Sequence, residues 1–343
     1  MGEQGDTLRT VVSATDTSFH AVRRRLSNAL RDTAPLTDVP RALELSERGA
    51  REAPALREAE LLEGRKQAAR RLSGDPEARF DAFLDGSQLT LVAHWVGPVP
   101  VVHGTVSAVI RRRLDRRLTT WRAPIVRHAL YAPVPLLSRA AADALDAAGV
   151  DVVDTMAQRD PDTAHPFALQ DLAYLRVLAD RERVEQELAE QWVAVEDGLL
   201  FIDGGIAGSA KVAAADNVVG VVKTHQTLHA APEDLQVIAG LAVGERTGVV
   251  RIAGSRVPRA RSRAVASWYL RTASAAGRDP FFGLVRIEVA LATNAQPATL
   301  TKRADDVSRW VLAERTPLAI PDPRWDRMAY GIRDAEEYLR AVQ

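Results

Sequence analysis

The chain has 343 residues, 46% of them apolar and 26% charged, enough to bury a large core and too apolar for a disordered segment. Basic and acidic residues balance at 45 each, so net charge announces no polyanionic partner. With no Cys there is no disulfide framework, thiolate zinc site or Cys nucleophile, and a reducing cytoplasm is the expected compartment.

In chain order, residues 6–73 are rich in Ala, Leu, Arg and Glu and predict two helices broken near Pro35 to Pro40. Gly74-Asp75-Pro76 punctuates the chain, and β-branched and apolar residues from Phe80 to Leu137 predict several strands. The longest apolar stretch, Leu89 to Ile110, carries His94, Pro98, Pro100 and His103, which argues against a membrane span. Ser138 is placed to cap a helix running to Ala148, a short strand is predicted over Val150 to Val153, and Pro166 to Trp192 reads as a long helix. Further strands are expected at 199–202, 218–222, 249–253, 265–270 and 284–290, and helices at 232–241, 304–314 and 332–342. Interspersed strands and helices argue for an α/β class, with residues 1–75 as a helical arm and 76–343 as the core. The first six residues show no export or lipidation pattern, in keeping with a cytoplasmic protein.

Two familiar chemistries fail in detail. Gly204 to Lys211 follows a strand like a phosphate loop, but Ser209 and Ala210 separate Gly208 from Lys211, where a Walker loop needs them contiguous. The seven His residues show no zinc spacing, and Gln226 follows His225 where a Glu would be needed.

The informative feature is a pair of look-alike segments, Phe80-Asp81-Ala82-Phe83-Leu84-Asp85-Gly86-Ser87 and Leu199-Leu200-Phe201-Ile202-Asp203-Gly204-Gly205-Ile206, each an apolar strand candidate ending in Asp-Gly. A single Asp-Gly reads as a hairpin turn. Two of them place carboxylates on the rim of one sheet, where at 4 Å and an effective dielectric near 20 a pair repels by about 4 kcal/mol. Such a cluster calls for cations, and hard oxygen ligands suit Mg²⁺ or Mn²⁺, paired ions of this kind serving phosphodiester hydrolysis.

These residues resemble the NurA-type nucleases. The likeness rests on Leu84-Asp85-Gly86-Ser87, on the second Asp-Gly segment after a long helix, and on Val218-Val219-Gly220-Val221-Val222-Lys223 some way beyond. It implies a ribonuclease H-like mixed sheet flanked by helices, with Asp85 and Asp203 as metal-binding and catalytic aspartates. A Glu on the preceding helix completes the cluster, Glu185 first, with Glu187 and Glu182 as neighbours that would serve. Lys223 is expected to contact the scissile phosphate or steady the acids. The family pattern ends in Tyr-Pro and a helix bearing a His or an acid; Tyr330-Gly331-Ile332 lacks the Pro, and Asp334 or Glu336 stands in for the missing ligand.

The resemblance further implies a metal-dependent DNA nuclease, an exonuclease acting at ends, that forms a homodimer and works with a hexameric HerA-type translocase in end processing, repair or defence. For DNA contact the better run is Arg251, Arg256, Arg259, Arg261 and Arg263; the alternative is Arg111, Arg112, Arg113, Arg116 and Arg117, which also reads as a solvated turn. Two other readings stay open: a catalytically inactive DNA-binding adaptor of a motor ATPase, and an unrelated metal-dependent phosphoesterase.

Overall fold

A computed structural model describes residues 16–31, 36–37, 43–45, 54–115, 117–157, 165–253, 263–292, 296–315 and 330–342. The main elements are α1 (Phe19–Leu30), β1 (Ala82–Val96), β2 (Val99–Leu114), β3 (Ile125–Ala132), α2 (Arg139–Asp146), β4 (Asp151–Asp154), α3 (Pro166–Val195), β5 (Leu200–Asp203), β6 (Val218–Val222), β7 (Val265–Arg271), β8 (Leu284–Ala290), α4 (Pro297–Glu314) and α5 (Tyr330–Val342). The chain is α/β, with a large mixed sheet flanked by helices. It forms two compact units, one from residues 1–50, 89–105 and 128–177, the other from 51–88, 106–127 and 178–343.

In the first unit the strand order is β4–β3–β2–β1, with β4 parallel to β3 and the two-residue turn at Gly97-Pro98 folding β2 back on β1. Val22, Leu26 and Leu30 recur every four residues and so line one face of α1. That stripe packs with Ala141, Ala144 and Leu145 of α2 over Ala93, Val101, Leu130 and Ala132. Ser138 caps α2 as its sequence promised, its hydroxyl accepting from the amide of Ala141 at 3.2 Å. The His residues that broke the apolar stretch are buried core groups with polar contacts: His94 Nε2 lies 3.0 Å from Ser27 Oγ, and His103 Nε2 lies 3.2 Å from the carbonyl of Thr17.

In the second unit β1 lies parallel to β5 and β5 parallel to β6, after which β8 and β7 follow antiparallel. Laterally paired residues share a face of the sheet. The row Phe83, Phe201, Val219, Val289, Ala266 and, one step along, Val221, Ile287 and Trp268 therefore present one apolar surface. It is covered by Leu300, Ala304, Val307 and Val311 of α4, spaced four, three and four apart, and by Ile332 of α5. Phe80, Phe83 and Phe201 meet at ring separations of 5.1–6.2 Å. Each such burial contributes about 1.5–3 kcal/mol.

The second helix expected before residue 75 is absent from the described residues. In its place short strands appear at Leu43–Glu44, Ala55–Arg57, Glu60–Leu61 and Arg70–Arg71, pairing with β1, Thr227–His229, Val250–Ile252 and Glu245–Arg246 respectively. Helix-forming composition is a weak preference, and backbone pairing with an open strand edge overrides it.

Candidate metal centre

Register puts the two aspartates side by side. β1 and β5 pair as Ala82 with Leu200, Phe83 with Phe201 and Leu84 with Ile202, so the next step sets Asp85 beside Asp203. Both point to the face of Phe83 and Phe201, two residues back, which is the face that α5 covers. From α5 comes Glu336, and Asp85, Asp203 and Glu336 each offer a carboxylate oxygen within 4.8 Å of the others.

Glu185 approaches from α3. A Cβ built on Gly86 would lie 2.1 Å from Glu185 Oε1, so the Gly after Asp85 is required by contact with an acid and not by a turn. The same oxygen is buried without a hydrogen-bond partner, its nearest cation being Arg181, whose Nε lies 3.5 Å away. Gly204, the second Asp-Gly glycine, has φ of 144° and carries the chain off the sheet at the strand end, a conformation that L residues rarely adopt.

Electrostatics follow from this crowding. Burial, then the charges of Asp203 and Glu185, push the Asp85 carboxyl well above the ordinary range. Burial raises Glu185 to about 7, with Arg181 working against the rise and Glu182 and Asp203 adding to it. Lys223 Nζ donates to Asp203 Oδ2 at 2.7 Å. Burial opposes the charge on Arg181, but Glu185 and Asp85 hold it cationic. Asp85, Asp203 and Glu336 form an all-oxygen donor set that could hold a metal ion, and Glu185, one of its oxygens buried without a hydrogen bond, adds its charge beside them.

Other sequence candidates lie elsewhere. Glu187 accepts from Arg127 Nη2 at 2.7 Å, and Asp334 accepts from Arg111 Nε. Helix geometry explains both: residues two apart on a helix face away from each other, so 187 cannot join 185, nor 334 join 336. Arg251 is exposed on the short strand Val250–Ile252, 3.7 Å from Glu60, and Arg263 is exposed with its amide on the carbonyl of Ala207. Arg256, Arg259 and Arg261 fall outside the described residues. In the alternative basic run, Arg113 holds Glu314 with two hydrogen bonds of 2.9 and 2.6 Å, and Arg112 faces Glu196 at 3.4 Å.

Asp203 and Glu185 line a cavity of about 260 Å³ together with Ile202, Ile206, Val212, Gln186 and Glu288. Glu288 is buried between Arg286 at 2.8 Å and the amide of Ile206 at 2.8 Å. Sequence reading passed over it, although an acid inside the apolar strand Leu284–Ala290 was a visible signal.

No protein-family model matches the chain, and no curated protein matches it in sequence. Among the described residues no helix is long and apolar enough to cross a membrane.

Proposed function

We propose that this protein is a metal-dependent DNA nuclease of the NurA type, with a ribonuclease H-like core. One observation carries the reading: three carboxylates from two neighbouring parallel strands and one helix converge within 4.8 Å, in a place where they repel each other unless a cation joins them. Asp85, Asp203 and Glu336 are the ligands, with Glu185 alongside, for Mn²⁺ or Mg²⁺. When bound, such ions neutralise charge developing on a phosphodiester and make water acidic enough to attack it. Lys223 steadies Asp203 and brings a cation to the rim where a phosphate oxygen arrives. The neighbouring cavity leaves room for the nucleotide beside the scissile bond. Arg251, Arg256, Arg259, Arg261 and Arg263 are proposed to contact backbone phosphates, and a homodimer working with a HerA-like hexameric translocase in the cytoplasm is the assembly the family resemblance suggests.

A second reading is favoured by one contact. The 2.7 Å pair between Lys223 and Asp203 supplies positive charge from within, as in a DNA-binding adaptor that has lost its ion. Degradation of end-labelled linear DNA in Mn²⁺, Mg²⁺ or EDTA, with and without a HerA-type partner, separates the two. Metal-dependent cleavage that Asp85→Ala abolishes is the expected result. DNA binding without cleavage under any metal overturns the nuclease and leaves the adaptor.

A further inference from the structure

We infer that Arg111 is a positioning residue, holding α5 against β2 so that Glu336 reaches the aspartates. This rests on Glu336 being a cation ligand. Of the three carboxylates within 4.8 Å of one another, Glu336 is the one that comes from a helix and not from sheet register, so its place depends on how α5 is seated. Three contacts seat it. Gly331 lies on the Phe83 ring so closely that a Cβ would stand 2.2 Å from it. Ala335 and Leu339 are buried against Val109 of β2. Arg111 joins two residues of the half-buried flank: Nε donates to Asp334, and the guanidinium stacks on Tyr338 with 4.8 Å to the ring centre.

Asp334 and Tyr338 flank Glu336 two residues before and after, on the helix face opposite to it. Pulling on that face fixes the rotation of α5 about its axis and thus the direction in which residue 336 points. Arg111 is itself held rigidly, since Nη1 donates to Thr120 Oγ1 at 2.6 Å and Nη2 to the carbonyl of Leu118 at 3.0 Å. Its planar fork engages a carboxylate, a hydroxyl and a carbonyl while presenting its face to an aromatic ring, which a lysine cannot imitate. A residue that composition would offer to DNA is thereby spent inside the protein.

The test is a double-mutant cycle on Mn²⁺ affinity, read by electron paramagnetic resonance on the full chain, with Arg111→Ala, Glu336→Gln and both together. Arg111→Ala should weaken Mn²⁺ at least tenfold and should add nothing in the Glu336→Gln background; Asp334→Asn, which cuts the same tie from the helix side, should behave alike should Arg111→Ala not fold. An equal loss in both backgrounds overturns the inference. Hydrogen exchange over residues 330–342, which needs no metal, is measured on the same variants. Exchange accelerated at least tenfold and confined to this helix is expected, and unchanged exchange overturns the seating. A wild type that binds no Mn²⁺ defeats the nuclease reading alone, and the exchange result then judges Arg111.

Discussion

Two of the second unit's acidic sites respond to burial oppositely. Glu63 is buried with Arg246, whose guanidinium meets it at 2.7 and 3.1 Å, while Thr301 donates at 2.8 Å and the amide of Val249 at 3.1 Å; Asp305 takes the remaining Nε of Arg246 at 2.7 Å. Burial works against its charge, but Arg246 and these donors outweigh it and hold the Glu63 carboxyl below its ordinary range. Asp85 is buried like Glu63 and Glu185 is half-buried, but neither has that compensation, and both are pushed up. The contrast teaches that burial of an acid does not mark a functional site; burial with unmet charge does.

The comparison breaks most visibly under substitution. Glu63→Ala leaves the buried Arg246 without its bidentate partner and with Asp305 as its remaining acid, so urea unfolding should show a loss of about 3–5 kcal/mol, whereas Asp85→Asn should leave the metal-free fold as stable as before or more so. Equal destabilisation by the two would erase the distinction.

The next largest effect lies in pH. A carboxyl raised in the folded state binds its proton more tightly there than when unfolded, so it costs stability as pH climbs from the unfolded value toward the folded one. For Glu185, from 4.5 to about 7, that cost is on the order of 3 kcal/mol by pH 8 in the metal-free protein. Glu63, lowered, does the reverse, its stabilisation being present above its unfolded value and lost as pH falls below it. Metal-free thermal stability should therefore decline between roughly pH 5 and 8. Saturating Mn²⁺ should cancel the decline and Glu185→Gln should flatten it; a curve that rises over this window in EDTA contradicts the assignment.

Smaller is Gly331→Ala. The new methyl meets the Phe83 ring and must shift α5, at a cost of about 1–3 kcal/mol in chemical denaturation, with Mn²⁺ affinity falling alongside. Smallest is Arg251→Ala, whose exposed pair with Glu60 should contribute under about 1 kcal/mol; its effect belongs instead in the salt dependence of DNA binding, where the slope should fall by about one.

Much of the frame was legible in sequence. Strands at Val218–Val222 and Leu284–Ala290 and helices α2, α3 and α5 follow from apolar runs, a capping Ser and helical spacing. The two Asp-Gly segments announced the centre because an acid after buried apolar residues is costly wherever it lies. What could not be read was partnership across the chain. Glu185, Glu187 and Glu182 sit within two turns of one helix, and only tertiary placement shows that Glu185 faces Gly86 while Glu187 turns to Arg127. Asp334 and Glu336 pose the same problem on α5, and Arg111 looked like a phosphate ligand because its partner lies more than two hundred residues away. The strands before residue 75 were hidden for a related reason, since pairing partners, not local propensity, made them.

The parallel pairing of β1 and β5 has a consequence for ion choice. Asp85 and Asp203 ride on neighbouring strands whose separation, about 4.8 Å, is set by backbone hydrogen bonds and does not adjust. Glu336 rides on α5, whose place is set by side-chain packing on Phe83 and Val109 and by Arg111. A cation bound there would meet two carboxylates spaced by the sheet and a third spaced by helix packing, so a substitution that loosens α5 should change the preference among ions of different radius more than one that leaves α5 seated.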